Sequence, residues 1–250
     1  MSEKLVRGLV ICISFVEMVV LAGYYWPLLW GVPWMDLKNV DWRRYHNNYV
    51  SDLLFHNSFY KALVTCLVAL QLCICSFFVV QLNHRYESHH WCFMLIMAME
   101  LVMLVLAWIG WVIVNSVYLD AHGHMTFGHI FGASLFISAC GVFYVLMMGN
   151  VYFLYPNRWT RREWLVFGLS VLCFVASATV GCIFAASFFT QNIQFGWVFE
   201  HAAFILFMAA QIWLFVVDAW LEEDMRRLID QRSVSGCFDS IRINKVDLRS

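Results

Sequence analysis

The fold is decided by the stretch from Asp120 to Tyr155, which reads DAHGHMTFGHIFGASLFISACGVFYVLMMGNVYFLY. A short polar turn is followed by an apolar run of about twenty-five residues, and at ~1.5 Å per residue a helix of that length crosses a hydrocarbon core of ~30 Å. The stretch therefore predicts a membrane-spanning helix. Gly128 and Gly132 lie one helical turn apart at its start, a spacing that lets a neighbouring helix approach closely, so we expect this helix to lie inside a bundle.

The composition of the whole chain also indicates a membrane protein. Of its 250 residues, 62% are apolar and 13% are charged, against about 25% charged in globular proteins. Six apolar stretches each reach the length of a spanning helix: about 8–30, 59–82, 92–118, 128–155, 164–189 and 197–221. Their polarity does not alternate as it would in barrel strands. We predict an all-α bundle of six transmembrane helices in one domain, residues 1–232, followed by a flexible tail, residues 233–250.

Lys and Arg are distributed unevenly between the two sides of such a bundle. With a cytoplasmic N-terminus, twelve of the sixteen lie on the cytoplasmic side, and an excess of Lys and Arg marks that side. Both termini are therefore predicted to be cytoplasmic. The four on the opposite side are Lys38, Arg43, Arg44 and Lys61.

The first span has a second interpretation, because Val20 and Ala22 fit the pattern of a signal-peptide cleavage site. Glu17 within the apolar run and the apolar sequence YYWPLLW that follows favour a retained helix. Cleavage would leave five helices with the same sidedness.

Acidic residues inside the predicted spans are the first candidate functional residues, because a charge at the bilayer centre costs at least ~2.5–3.5 kcal/mol. They are Glu17, Glu100 and Asp218. Glu17 and Glu100 each lie about eight residues, or ~12 Å, from the cytoplasmic end of a span, so we expect them at the same depth. We expect these two to be protonated or to accept hydrogen bonds from Gln71 or Gln211. The alternatives are a shared proton, a cation site or a contact with lipid headgroups.

A polar cluster is predicted on the outer side, at the starts of the fourth and sixth spans. Histidine with carboxylate suits zinc or acid–base chemistry. No metal site is predicted, because His-x-His is not a recognised ligand spacing and the helical HExxH pair is absent, which leaves His122, His124 and His129 as weak candidates. Histidines that cap helices and meet headgroups are the simpler interpretation. The cluster comprises Asp120, His122, His124, His129, Glu200 and His201.

The last span continues into the sequence LEEDMRRLIDQR. Asp224, Leu228 and Ile229 fit the acidic dileucine pattern of endosomal and lysosomal sorting signals, although a solvated helical end so close to the membrane is the simpler interpretation. Residues after Ser233 hold few large apolar groups and are predicted to be unstructured, where they could meet a cytosolic partner. The net charge of −1 says nothing about nucleic acid, but the sequence has no basic aromatic patch, so nucleic acid is not an expected partner.

Several short motifs resemble those of one family, the six-helix DRAM, FRAG and Sfk membrane proteins. Tyr49–Asp52, YVSD, is similar to the Tyr-Ile-Ser-Asp of DRAM proteins. His129–Ala133 resembles the His-x-x-Gly-Ala start of their fourth helix, and Gly141–Tyr144 its Gly-Val-Val-Tyr continuation. Glu200 and Asp218 resemble the family's acids at the two ends of the last helix, with a spacing one residue longer than the family's.

This resemblance implies a membrane regulator of autophagy, phosphoinositide signalling or lipid distribution, with membrane lipids as partners and no cofactor. It also implies lysosomal or endosomal residence, with Golgi or plasma membrane as alternatives. Lipid or GPI-anchor remodelling, including metal-assisted hydrolysis by the outer histidines, is the competing hypothesis. A haem-bearing cytochrome would need histidine pairs near both faces, which the sequence does not offer.

Overall fold

A computed structural model describes residues 3–31, 58–86, 91–116, 126–155, 159–189 and 196–246. Six helices run through these segments: α1 (Glu3–Gly31), α2 (Ser58–Tyr86), α3 (Trp91–Ser116), α4 (Phe127–Leu154), α5 (Arg161–Phe189) and α6 (Gly196–Val246). Each contains a stretch long and apolar enough to cross a membrane. The prediction of an all-α fold with six transmembrane helices is confirmed, and the chain is an integral membrane protein.

Two helices begin with side-chain caps that the sequence encodes locally. Thr126 precedes α4 in an extended conformation, and its hydroxyl accepts a hydrogen bond from the backbone N–H of His129 at 3.3 Å. Before α5, the backbone N–H of Thr160 donates to Glu163 at 2.9 Å, and the Thr160 hydroxyl accepts from the N–H of Arg162 at 3.3 Å. Such caps satisfy N–H groups that a helix start leaves unpaired, so they fix where each helix begins.

The helices are arranged so that five of them form a ring. In the ring α1 packs on α2, α2 on α3, α3 on α4, α4 on α6, and α6 on α1. The fifth helix, α5, packs along α6 and also meets α4, where the ring of Phe174 stacks on Tyr144 at 4.6 Å between centroids. The interior of the ring is therefore lined by α1, α2, α3, α4 and α6.

The helices α3 and α4 approach each other at two glycines. A Cβ atom on Gly110 would lie 2.6 Å from the backbone nitrogen of Phe136 and 2.8 Å from the carbonyl oxygen of Gly132. One on Gly132 would lie 2.7 Å from a methyl carbon of Ile113. The expected close approach of a neighbour thus occurs at Gly132, with α3 as that neighbour and Gly110 as its counterpart.

Large apolar side chains also cover the outside of the bundle. On α5 they follow helical spacing and are mostly exposed to the surroundings: Leu165, Leu169, Leu172 and Val175. A helix that is apolar on its outer as well as its inner face is stable where the surroundings are lipid.

The tail differs from its prediction. The helix α6 continues to Val246, past Ser233, where the sequence predicts an unstructured end. The prediction was based on the small number of apolar groups that this segment could bury in a core. Extending an existing helix needs no new nucleus and no core. The long loop between α1 and α2, with the motif at residues 49–52, lies outside the described residues.

Candidate functional site

An arginine and two acids form a buried ionic cluster where the start of α1 meets the second half of α6. Arg7 Nε contacts Asp218 Oδ2, and Arg7 Nη1 contacts Glu222 Oε2. The three residues are exposed by only 1%, 2% and 4% of their surfaces, respectively. Asp218 and Glu222 lie four residues apart and so share one face of α6. The fork of a guanidinium can serve two carboxylates at once, which suits it to this position.

Two further helices complete this cluster. From α2, the ring of Phe78 lies 5.1 Å from the guanidinium carbon of Arg7, within the range of a cation–π interaction. At the end of α4, the hydroxyl of Tyr155 donates to Asp218 Oδ1 at 3.1 Å. The cluster therefore joins α1, α2, α4 and α6 at one end of the bundle.

A second polar layer lies seven residues further along α1, where Ser14 Oγ is 3.3 Å from Gln211 Oε1. Gln211 also lies seven residues before Asp218, as antiparallel neighbours require. Gln71 reaches this layer from α2. With its amide nitrogen facing Glu17, it donates to the two carboxyl oxygens at 2.8 and 3.1 Å and accepts from Ser14 Oγ at 3.1 Å. Glu17 is thus buried against one of the amides expected from the sequence.

The second candidate acid, Glu100, is buried between α3 and α4. Asn150 Nδ2 donates to Glu100 Oε1 at 2.5 Å. Both side chains lie away from the outer surface of the bundle. The sequence does not single out Asn150, although it is a polar residue within an apolar run.

Glu17 and Glu100 lie in one region of the interior. The buried thiol of Cys75 on α2 is within electrostatic range of both Glu17 and Glu100. Cys140 on α4 is within electrostatic range of Cys75 and of Glu17. The two acids expected at one depth are therefore both within electrostatic range of one buried thiol.

Another polar contact joins α4, α5 and α6. The hydroxyl of Tyr144 contacts Ser170 Oγ and lies 3.2 Å from the Ser170 carbonyl oxygen, while Ser170 Oγ donates to the carbonyl of Ala210 at 2.7 Å. Seven residues along α5, Ser177 Oγ donates to the carbonyl of Ala203 at 2.7 Å. These bonds fix the position of the outer helix α5 on the ring.

We expect Tyr144→Phe to lower the free energy of unfolding by about 0.5–1.5 kcal/mol, the usual worth of one buried hydrogen bond. The matched control is Tyr152→Phe on the same helix, because the Tyr152 side chain is 43% exposed and makes no hydrogen bond within the described segments. Chemical denaturation of both variants in detergent micelles measures the difference. Equal effects of the two substitutions would contradict a bonding role for the Tyr144 hydroxyl.

The outer polar cluster is only partly within the described residues. His129 is buried at the start of α4, and Glu200 and His201 are buried in the first turn and a half of α6. The Nδ1 atom of His201 lies 2.9 Å from the Trp197 carbonyl oxygen. Asp120, His122 and His124 lie outside the described residues. Within the described segments, no three His, Cys, Asp or Glu side chains are grouped as metal ligands.

The sorting-signal candidate on α6 begins at Asp224, the last residue of the apolar span Gly196–Asp224. Asp224 is half-buried, and the side chains of Leu228 and Ile229 lie outside the described part of the structure. One turn before, Glu222 is buried on Arg7 while the next residue, Glu223, is exposed and pairs with Arg227 at 2.9 Å. The expectation of a solvated helical end is therefore wrong for Glu222, because that position faces α1, and right for Glu223.

The partners of the buried acids were not predicted from the sequence. Arg7 was one of the cytoplasmic-side cations that predicted orientation, and Glu222 belonged to the stretch expected to be a solvated helical end. A signal was present, since Asp218 and Glu222 lie on one helix face and Arg7 lies within four residues of the N-terminal end of a helix. The sequence could not show that these two helices are neighbours.

No protein-family model matches the sequence. Neither a curated protein nor a solved structure matches the chain. The resemblance to the DRAM, FRAG and Sfk proteins therefore rests on the motifs quoted above.

Proposed function

We propose that this chain is a non-enzymatic membrane regulator of autophagy, lysosomal function or membrane lipid organisation, of the DRAM, FRAG and Sfk type. One observation carries the proposal: the buried acids of the membrane core are engaged with side chains of neighbouring helices. Asp218 and Glu222 pair with Arg7, and Glu100 pairs with Asn150. Acids paired in this way stabilise one arrangement of the helices. A regulator that acts by presenting a defined surface, rather than by catalysis, requires such an arrangement.

The motif resemblance adds to this argument, and so does the agreement between the six-helix bundle and the architecture which that family implies. Membrane lipids are the first expected partners, since apolar side chains cover the outside of the bundle. The extension of α6 past the span, up to Val246, offers a helical surface to a cytosolic partner. We propose lysosomes or endosomes as the location, with Asp224, Leu228 and Ile229 as the sorting signal.

A tagged copy of the chain in cells is expected to colocalise with a lysosomal marker, and Leu228→Ala plus Ile229→Ala should move it to the plasma membrane. The signal requires two adjacent apolar residues after an acid, so removing them should abolish sorting without disturbing the span. The matched control is Ile241→Ala plus Ile243→Ala, further along α6. An unchanged location in the first variant would contradict the sorting signal.

Depletion of the protein distinguishes the function itself from its alternative. Altered autophagic flux or altered lipid distribution in lysosomes is expected. Residence in the Golgi or endoplasmic reticulum, together with loss of GPI-anchored proteins from the cell surface, would instead establish a role in anchor remodelling. The regulator proposal would fail if depletion changed neither autophagic flux nor lipid distribution.

A further inference from the structure

The contact between Glu100 and Asn150 is short and closed off from the surroundings of the bundle. Asn150 Nδ2 lies 2.5 Å from Glu100 Oε1. The exposed fractions of the two residues are 0% for Glu100 and 1% for Asn150. Glu100 lies on α3 and Asn150 on α4, so the pair bridges the contact surface between these two helices, called the α3–α4 seam below.

Each residue of this pair keeps one oxygen atom without a hydrogen-bond partner within the described segments. The two atoms are Glu100 Oε2 and Asn150 Oδ1. An ionised carboxylate and an amide oxygen can only accept hydrogen bonds. Buried oxygen atoms are almost always paired, because burial removes the water that would otherwise donate to them. What this site lacks is a donor.

None of the charged or titratable groups described below is a cation that donates a hydrogen bond to these two oxygen atoms. Across the interior, Glu17 on α1 is a second acid, and the thiol of Cys75 on α2 is within electrostatic range of both acids. The buried guanidinium of Arg7 contacts Asp218 and Glu222 instead. Two ionised acids in one apolar region would repel each other and would each lose their hydration.

We propose that Glu100 holds a proton and forms, with Asn150, a proton-binding site within the membrane. In this neutral acid–amide pair, Asn150 Nδ2 donates to Glu100 Oε1, and the carboxyl O–H on Oε2 donates to Asn150 Oδ1. One proton then satisfies both oxygen atoms, and no net charge is buried. The proposal is independent of the chain's location and of its role in autophagy or lipid organisation.

The site has a consequence for the α3–α4 seam. Separating the two helices breaks both hydrogen bonds at once and exposes the carboxyl group, which can then release its proton. The close approach of α3 and α4 at Gly110 and Gly132 lies on the same seam. Gly110 is ten residues from Glu100 along α3, or ~15 Å by helical rise. Proton occupancy of Glu100 is therefore coupled to the closed arrangement of these two helices.

Infrared spectroscopy of the full-length protein at neutral pH tests this directly. A protonated carboxyl has a C=O stretching band above the amide I band, which shifts in deuterated water. We expect such a band in the wild type and its loss in Glu100→Gln. In Asn150→Leu the band should persist but move to higher frequency, because its C=O no longer accepts from an amide. Glu17→Gln identifies any contribution from the other acid. No band assignable to Glu100 would overturn the proposal.

Thermal unfolding of the same variants provides a second readout. The glutamine of Glu100→Gln can both donate and accept, so its melting temperature should match that of the wild type. Glu100→Ala should lower the melting temperature, because it leaves the Asn150 amide unpaired. If a sodium or potassium ion occupied the site, those salts would raise the wild-type melting temperature above that in choline chloride. Glu100→Gln would abolish that effect, and the proton site would be excluded.

Discussion

Arg7→Met is expected to lower the free energy of unfolding by about 3–5 kcal/mol, the usual cost of removing one partner from a buried ion pair. Methionine fills a similar volume, so the loss reflects charge. Without the guanidinium, Asp218 and Glu222 would remain buried four residues apart and would lose the cation that contacts both of them. The helix α1 would lose this ionic contact with α6.

The matched control is an exposed ion pair on α6, the helix that carries Asp218 and Glu222. Arg227 contacts Glu223 at 2.9 Å, but both side chains are more than half exposed. An exposed helical pair contributes about 0.3–0.5 kcal/mol, so Arg227→Met should have little effect. Denaturant titration of both variants in detergent micelles measures the two changes in unfolding free energy.

A compensated variant separates the cost of unpaired charge from a loss of packing. Arg7→Met combined with Asp218→Asn and Glu222→Gln removes all three charges of the cluster, and we expect it to regain most of the stability lost by Arg7→Met alone. The amide oxygen introduced by Asp218→Asn would still accept the hydrogen bond from Tyr155. If the triple variant were no more stable than Arg7→Met, packing around Arg7 rather than charge would be the cause.

Gly110→Ala is expected to cost about 1–3 kcal/mol, the usual effect of overpacking a tight contact. The added methyl would lie 2.6 Å from the backbone nitrogen of Phe136 and 2.8 Å from the carbonyl oxygen of Gly132. Backbone atoms cannot rotate away as the end of a side chain can, so α3 and α4 must separate. The aromatic contact of Trp111 with Phe136, at 5.1 Å between centroids, should loosen with them.

Gly141→Ala is the control for this substitution, because a Cβ atom there meets nothing within 4 Å. Alanine favours a helix over glycine by about 0.8–1.0 kcal/mol, so this variant should be as stable as the wild type or more stable. Melting temperatures in detergent, followed by tryptophan fluorescence, give the comparison. A Gly110→Ala protein that melts with or above Gly141→Ala would show that the two helices do not need their close approach.

The bundle itself was predictable because lipid imposes a simple constraint on the sequence. Every backbone polar group in a span must be satisfied within it, so length and hydropathy alone locate the helices. The predicted span 128–155 and the helix α4, Phe127–Leu154, agree to within a residue at each end. The helical conformation after Ser233 was not predicted. The polar composition of this segment excludes a core, but it does not stop a helix that is already formed.

For the candidate residues too, the sequence predicted positions along each helix but not the contacts between helices. Glu17 and Glu100 stand out in the sequence because acids are costly in a membrane, and the amide Gln71 was expected near them. Asn150 could not be assigned to Glu100, because hydropathy gives the position of a residue along its helix but not which helices are neighbours.

The sequence by itself therefore determined the number of helices, their approximate ends and the positions of the buried acids along them, since each depends on composition along one segment. Only the tertiary structure decided the partners: Arg7 with Asp218 and Glu222, Glu100 with Asn150, and Gly110 with Gly132. Each of these contacts joins two different helices. Their pairing depends on which helix faces pack together, and that is a property of the whole bundle rather than of any one span.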